Sequence, residues 1–176
     1  MPPSAQTHPR PAPHTTTANA PALVVRVRYC ECDPMGVAHH ASFAPWLEMA
    51  RTELLRPHGR SYAAMERDGV YLVVTALEVR YRRPARYDDV LAIHASPELV
   101  GRARLRHDYT ITLREPGDGR TERLSAGPLA TARTELACVN AQGRPTPLPD
   151  GLARVVAGDH LRDRPSMDPA PLTGPA

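Results

Sequence analysis

Hydrophobic and polar positions change period along this chain, and each change predicts an element. Residues 22–32 alternate: Val25, Val27 and Tyr29 share one side and Arg26, Arg28 and Cys30 the other, the pattern of a half-buried strand. Asp33-Pro34-Met35-Gly36 then supplies turn chemistry, a fixed φ at proline and tolerance of φ > 0 at glycine. From Phe43 the period becomes helical. Phe43, Trp46, Leu47, Ala50 and Leu54 form one apolar stripe along 43–56, with Ser42 as N-cap, Pro45 in the first turn and Gly59 beyond the end. A shorter helix covers 61–67. Strands follow at 70–82 and 90–96. Along 102–114, Ala103, Leu105, His107, Tyr109, Ile111 and Leu113 face one side and Arg102, Arg104, Arg106, Asp108, Thr110, Thr112 and Arg114 the other. Residues 115–120 (EPGDGR) read as a hairpin turn, and a final strand region spans about 121–140 with a break near Gly127-Pro128.

Strand, long helix, then four strands joined by short turns implies an antiparallel sheet with one helix buried against it, an α+β fold. One helix covers only one face of such a sheet, so the remaining apolar surface and the sheet edge predict an oligomer.

Composition bounds this picture. The chain has 176 residues with 20 prolines concentrated towards its ends. Residues 1–21 and 159–176 read as disordered Pro-rich segments flanking one domain at 22–158. No apolar run is long enough to span a membrane, and the first residues lack a secretory apolar core, so a cytoplasmic protein is expected. The net charge is only +3, and all 22 basic residues are arginine. They are interspersed with acids rather than clustered, which argues against nucleic acid and leaves a small polyanionic ligand open. Three cysteines exclude a regular disulfide framework. Cys30 and Cys32, two apart in the expected strand, read as buried reduced thiols. Phosphate-binding glycine loops, a G-x-S-x-G elbow and metal-ligand spacings are all missing, so neither cofactor nor metal is expected.

The chemistry concentrates in Asp33 to Phe43. There an acidic residue ends a strand, a tight turn follows, and polar residues lead into the main helix. N–H groups at a helix start favour developing negative charge. A carboxylate beside them can activate water for attack on a carbonyl while an N–H takes up the oxyanion. The bland alternative is that Asp33 only caps its turn. Asp88 and Asp89 read as turn residues.

The segment Y-C-E-C-D-P-M-G-V-A-H-H-A-S-F, followed by W-L-E-M-A-R-T-E-L-L, resembles the 4-hydroxybenzoyl-CoA thioesterase and YbgC-like acyl-CoA thioesterase group of the hotdog fold. L-V-V-T-A-L-E-V-R-Y-R-R-P-A-R-Y-D-D-V-L at 72–91 and the closing A-C-V-N-A-Q-G-R-P extend the resemblance over about 22–156. It implies a long helix wrapped by a curved five-stranded antiparallel sheet, paired edge to edge in dimers or tetramers with active sites at the dimer interface. It implies hydrolysis of aromatic or short-to-medium acyl-CoA thioesters without a cofactor. Asp33 would be general base or nucleophile, and the His40 backbone N–H would polarise the thioester carbonyl. Gly36 would let backbone pass close to the substrate. His39 and Phe43 would line the site, where many members carry an aromatic and a tyrosine respectively. Arg102 and Arg104, with Arg82 and Arg83, would hold the CoA phosphates. Glu48 on the helix is a minor rival carboxylate. An acyl-carrier-protein thioesterase and a non-catalytic acyl-CoA-binding sensor are the alternative functions. A hydratase is disfavoured, because 43–56 carries neither H-x-x-x-D nor D-x-x-x-x-H.

Overall fold

The computed structural model describes residues 22–59 and 61–156. The two expected disordered segments lie outside the described residues. Five strands form one antiparallel sheet: β1 (Leu23–Arg26), β2 (Val70–Tyr81), β3 (Val90–Leu99), β4 (Arg104–Glu115) and β5 (Ala130–Asn140), in spatial order β1-β3-β4-β5-β2. The long helix α1 (Phe43–Glu53) lies between β1 and β2 in the chain, followed by a short α2 (Tyr62–Arg67); a third helix, α3 (Asp150–Val156), closes the described chain.

The α1 stripe does what its spacing predicts. Trp46, Leu47 and Ala50 are buried in one cluster with Val27 beside β1, Leu91 and Ile93 of β3, Tyr109 and Ile111 of β4, and Ala130 and Ala132 of β5. Side chains from four adjacent parts of the sheet thus surround one helix, so the sheet wraps it. A second cluster of Leu55, Met65, Cys138, Leu148 and Leu152 fills the far end, under α2 and α3. The alternation of β4 is kept without error: Leu105, His107, Tyr109, Ile111 and Leu113 are all buried. β2 is an edge strand pairing only with β5, from Val70↔Asn140 to Tyr81↔Ala130, with one irregularity at Thr75. Val73, Val74, Leu77 and Tyr81 on it remain exposed. Among the described residues no helix is long and apolar enough to cross a membrane.

Several boundaries differ from the sequence expectation. The first strand ends at Arg26 rather than near Cys32. After Val27, which still bonds to the Asp88–Asp89 backbone, the chain tightens into a 3-10 turn at Tyr29–Glu31. Residue alternation therefore no longer sets direction: Tyr29 and Cys30 are exposed, Cys32 is half-buried, and only Cys138 is a buried thiol. α1 stops at Glu53 rather than 56, because Pro57 has no N–H to continue the ladder and a 3-10 turn at Arg56–His58 takes over, closed by Gly59 at φ +66°. Ser42 makes no side-chain cap; its hydroxyl donates instead to the Glu31 carbonyl at 3.0 Å. The last strand starts at Ala130, with a 3-10 turn at Thr121–Arg123 and a loop before it. α3 has no counterpart in the sequence reading.

Candidate active site

Residues 31–42 fold into a small double-back that carries Asp33 in its loop and ends at the start of α1. Cys32 and Ala38 face each other as an antiparallel bridge, and Val37 bridges to Arg86. The loop between them is tied by Asp33 N–H to the Val37 carbonyl and Gly36 N–H to the Asp33 carbonyl, both at 2.9 Å. Gly36 sits at φ +74°, a conformation that explains glycine in D-P-M-G. Asp33 is half-buried, and its Oδ1 accepts from the Met35 N–H at 2.8 Å. So Asp33 does cap its turn, as the bland reading holds, yet that engages one carboxylate oxygen. No described residue donates to the other.

On the opposite arm, His39 opens a 3-10 turn at His40–Ser42 that runs straight into α1. His39 Nδ1 accepts from the Ala41 N–H at 3.2 Å. The His40 ring lies 4.0 Å from that of His39 and is exposed. As the first residue of the turn, His40 carries one of the N–H groups that a helix start leaves without an intrahelical acceptor. Asp33 thus keeps a carboxylate oxygen without a donor among the described residues, in the loop whose return arm runs through His39 into α1.

Glu31 holds these arms together, and the sequence reading passed over it. Its carboxylate accepts from the Trp46 indole N–H at 3.0 Å, and from the Arg28 backbone and guanidinium at 2.8 Å each. Its carbonyl accepts from His39 N–H and the Ser42 hydroxyl. Burial pushes this carboxyl up, but the Arg28 and Trp46 hydrogen bonds outweigh it and leave the group below the usual glutamate range. The only signal was a charged residue inside Y-C-E-C, which strand alternation would have sent to one face without a partner.

The other nominated residues fall into three groups. Phe43 is buried, packed on Trp46 and edge-on to Tyr81 at 4.9 Å, so it belongs to the wall under the turn. Tyr81 in turn reaches the His40 carbonyl at 3.4 Å. Arg82 and Arg83 follow Tyr81, at the end of β2 nearest His40. Arg82 is exposed, whereas Arg83 spends its guanidinium on the carbonyls of Arg123 and Gly127. Arg102 and Arg104 are exposed but lie at the opposite end of the sheet. The Asp33 loop bridges through Val37 to Arg86 in the turn before β3, whose first residue Val90 pairs with Glu115 at the end of β4; Arg104 begins β4 and pairs with Ala137. The length of β4 separates them, roughly 35 Å at ~3.3 Å per residue. One chain does not bring these arginines to Asp33. Alternation gives the face of a strand and is silent about which end meets the helix start.

Glu48 is exposed and accepts at 2.9 Å from the buried Arg51, so on α1 it is an ion-pair partner. Asp89 is more than a turn residue. It is fully buried, accepts from the Arg86 and Gly117 N–H groups, and receives both Arg123 guanidinium nitrogens, at 2.9 and 2.6 Å.

A single helix wrapped by a five-stranded antiparallel sheet, with a carboxylate turn at the helix start, defines a hotdog-fold protein. The family model of the thioesterase-like superfamily matches residues 27–156, and the chain belongs to that family. Over 69 residues it is 46% identical to the acyl-CoA thioester hydrolase YbgC of Escherichia coli, a match covering 39% of this chain and 52% of YbgC. The chain thus spans about half the length of the curated relatives it matches. Among solved structures, the 1,4-dihydroxy-2-naphthoyl-CoA thioesterase Slr0204 from Synechocystis shares the fold with a TM-score of 0.70 at 22% identity, over 80% of this chain and 98% of that one. The DHNA-CoA thioesterase from Staphylococcus aureus gives 0.66 at 28% identity, over 79% and 92%.

Proposed function

We propose that this protein hydrolyses acyl-CoA thioesters with aromatic or short-to-medium acyl groups, releasing a carboxylic acid and free CoA. The observation that carries the reading is the Asp33 turn, with one carboxylate oxygen held by Met35 and the other without a donor among the described residues, in the loop that leads into α1. Two routes fit it. As general base, Asp33 takes a proton from water while the water oxygen bonds to the thioester carbon. The tetrahedral intermediate then expels the thiolate, which takes that proton back from Asp33. As nucleophile, Asp33 itself bonds to the carbon and the C–S bond breaks to a mixed anhydride, which water cleaves. In both, the His40 N–H stabilises the oxyanion, a contribution of ~2.7–4 kcal/mol for a well-placed donor.

The reading includes a second copy of the chain. The exposed apolar residues of edge strand β2 favour pairing with another β2, and CoA phosphates held by Arg102 and Arg104 would then be those of a thioester attacked in the neighbouring copy. Arginine suits that role through its forked donors. The free thiols fit a reducing compartment, and we place the reaction in the cytoplasm.

The test is turnover of acetyl-, hexanoyl-, palmitoyl-, benzoyl-, 4-hydroxybenzoyl- and phenylacetyl-CoA, followed by loss of thioester absorbance, with Asp33→Asn in parallel. Turnover of at least one substrate is expected, falling ~10²-fold or more in the variant, the size of a positioned base. Full activity of Asp33→Asn, or no turnover on any of the six, overturns the reading.

A further inference from the structure

His39 closes the turn that leads into α1 with its own ring. Its backbone is extended, and the chain enters the 3-10 turn His40–Ser42 at the next residue. Its Nδ1 accepts from the Ala41 N–H at 3.2 Å, and its carbonyl accepts from the Ser42 N–H at 2.9 Å. The imidazole therefore takes the place of the serine, threonine, asparagine or aspartate oxygen that usually caps a helix start. Ser42, the one serine nearby, spends its hydroxyl on the Glu31 carbonyl.

An imidazole fills that place only when neutral. In the neutral ring one nitrogen carries the proton and the other accepts; in the imidazolium both donate. An accepting Nδ1 puts the proton of the neutral ring on Nε2. A second proton has only Nδ1 to go to, where it points at the Ala41 N–H and turns a hydrogen bond into two facing donors. A serine or asparagine cap has no such state, whereas histidine is the side chain that ordinarily changes charge between pH 5 and 8. The charged and titratable groups around His39 can be named. The His40 ring lies 4.0 Å away. Glu31 accepts the His39 N–H at its backbone carbonyl, at 2.8 Å, while its carboxylate is turned to Arg28 and Trp46. Tyr81 reaches the His40 carbonyl, and Asp33 stands on the other arm of the loop with its Oδ1 on Met35. Neither carboxylate takes a hydrogen bond from the imidazole to replace the one that protonation removes.

We propose that His39 is a positioning residue for the hydrolysis, a cap that holds the His40 N–H in place while its ring is neutral and releases it when the ring takes a proton. It acts through the turn rather than on the substrate. The effect on rate rests on the hydrolytic reading; the cap does not. The turn closed by Nδ1 is the one that carries the N–H assigned to the oxyanion. That contact belongs to the transition state, so its loss in acid should lower kcat and leave KM where it was.

Nitrogen-15 NMR of the full chain, titrated from pH 8 to 5.5, reads the cap without substrate. The neutral His39 ring should carry its proton on Nε2, and the Ala41 amide should shift with the same midpoint as that ring. His39→Asn keeps an accepting oxygen that does not titrate, so its Ala41 amide should stay in place; His39→Ala has no acceptor at any pH. With a thioester that the protein hydrolyses, kcat of the unaltered chain should drop ~5-fold over that range at constant KM, the size of a lost side-chain cap. Both His39 variants should lose the drop, with His39→Asn turning over faster than His39→Ala throughout. His40→Gln should keep it, which separates the two rings. A proton on Nδ1 of the neutral ring, an Ala41 amide indifferent to the His39 titration, or a drop that survives in His39→Asn would each overturn the proposal. No turnover of any thioester overturns the hydrolytic reading and with it the effect on rate, whereas turnover without coupling between His39 and Ala41 overturns this proposal alone.

Discussion

His107 and Arg51 place a neutral imidazole and a fixed cation side by side in the gap between helix and sheet. That pairing has a pH signature. In the unfolded chain a histidine protonates near 6.5; in the fold His107 does so only at about 3, because burial and then the Arg51 charge oppose its charged form. Above 6.5 both states are neutral and nothing is lost. As pH falls below 6.5 the unfolded state binds a proton that the folded state refuses, so stability drops, with a slope approaching ~1.4 kcal/mol per pH unit, until His107 itself titrates. Glu31 acts in the same direction lower down. Its depressed carboxyl contributes stability above the ordinary glutamate range, and that is lost as pH falls through its folded value. Urea unfolding between pH 7.5 and 4 should show the decline, and His107→Gln should flatten its upper part, from 6.5 to about 5. An unchanged profile in the variant would mean that His107 is not the group responsible.

At the scale of elements, the stretch from Tyr29 to Phe43 behaves as one device, and Glu31 is its pin. Glu31→Gln keeps the size but replaces an acceptor oxygen with an N–H donor facing the donors of Arg28 and Trp46. Stability should fall by about 1–3 kcal/mol, the penalty for an unpaired buried donor. Trp46 is the protein's one tryptophan, so its fluorescence reports the lost indole bond. Turnover should fall by more than the unfolded fraction explains, since the same residue's carbonyl anchors His39 and Ser42. This device also marks where sequence reading stops. β4 is legible because each inward residue from Leu105 to Leu113 meets the same apolar interior, so local period and burial coincide. The α1 stripe is legible for the same reason. Residues 27–32 keep alternating as letters while bonds to His39, Ser42 and Trp46, distant in sequence, bend the backbone into a turn. The turn at Asp33–Gly36 is legible from the sequence because D-P-M-G is turn chemistry in itself. Arg83 is not, because its partners are carbonyls of a loop 40 or more residues away. Arg102 and Arg104 are correctly read as exposed, but only the antiparallel register shows them at the far end.

For the whole molecule, the outer edge of β2 is where the proposed pairing of two copies is tested. Leu77→Arg puts a like charge on each side of the proposed pairing, which costs several kcal/mol and should weaken self-association ~100-fold or more. Light scattering at micromolar concentration should then show monomers with unchanged circular dichroism. A variant as oligomeric as the parent would place the interface elsewhere. The buried Asp89 links the scales in another way. It joins the hairpin loop at Gly117 and Arg123 to the turn at Arg86, which bridges to Val37 in the Asp33 loop, while the Asp88–Asp89 backbone bonds Val27. A side chain at position 117 would meet the Tyr87 and Asp88 backbone at 2.7 Å, so the loop seats there only as glycine. The ribosome makes Asp33 long before Arg123. Until Arg123 has left the exit tunnel, the carboxylate beneath the candidate site has no countercharge, so a nascent or truncated chain ending short of it holds all the motif letters without a place to assemble them.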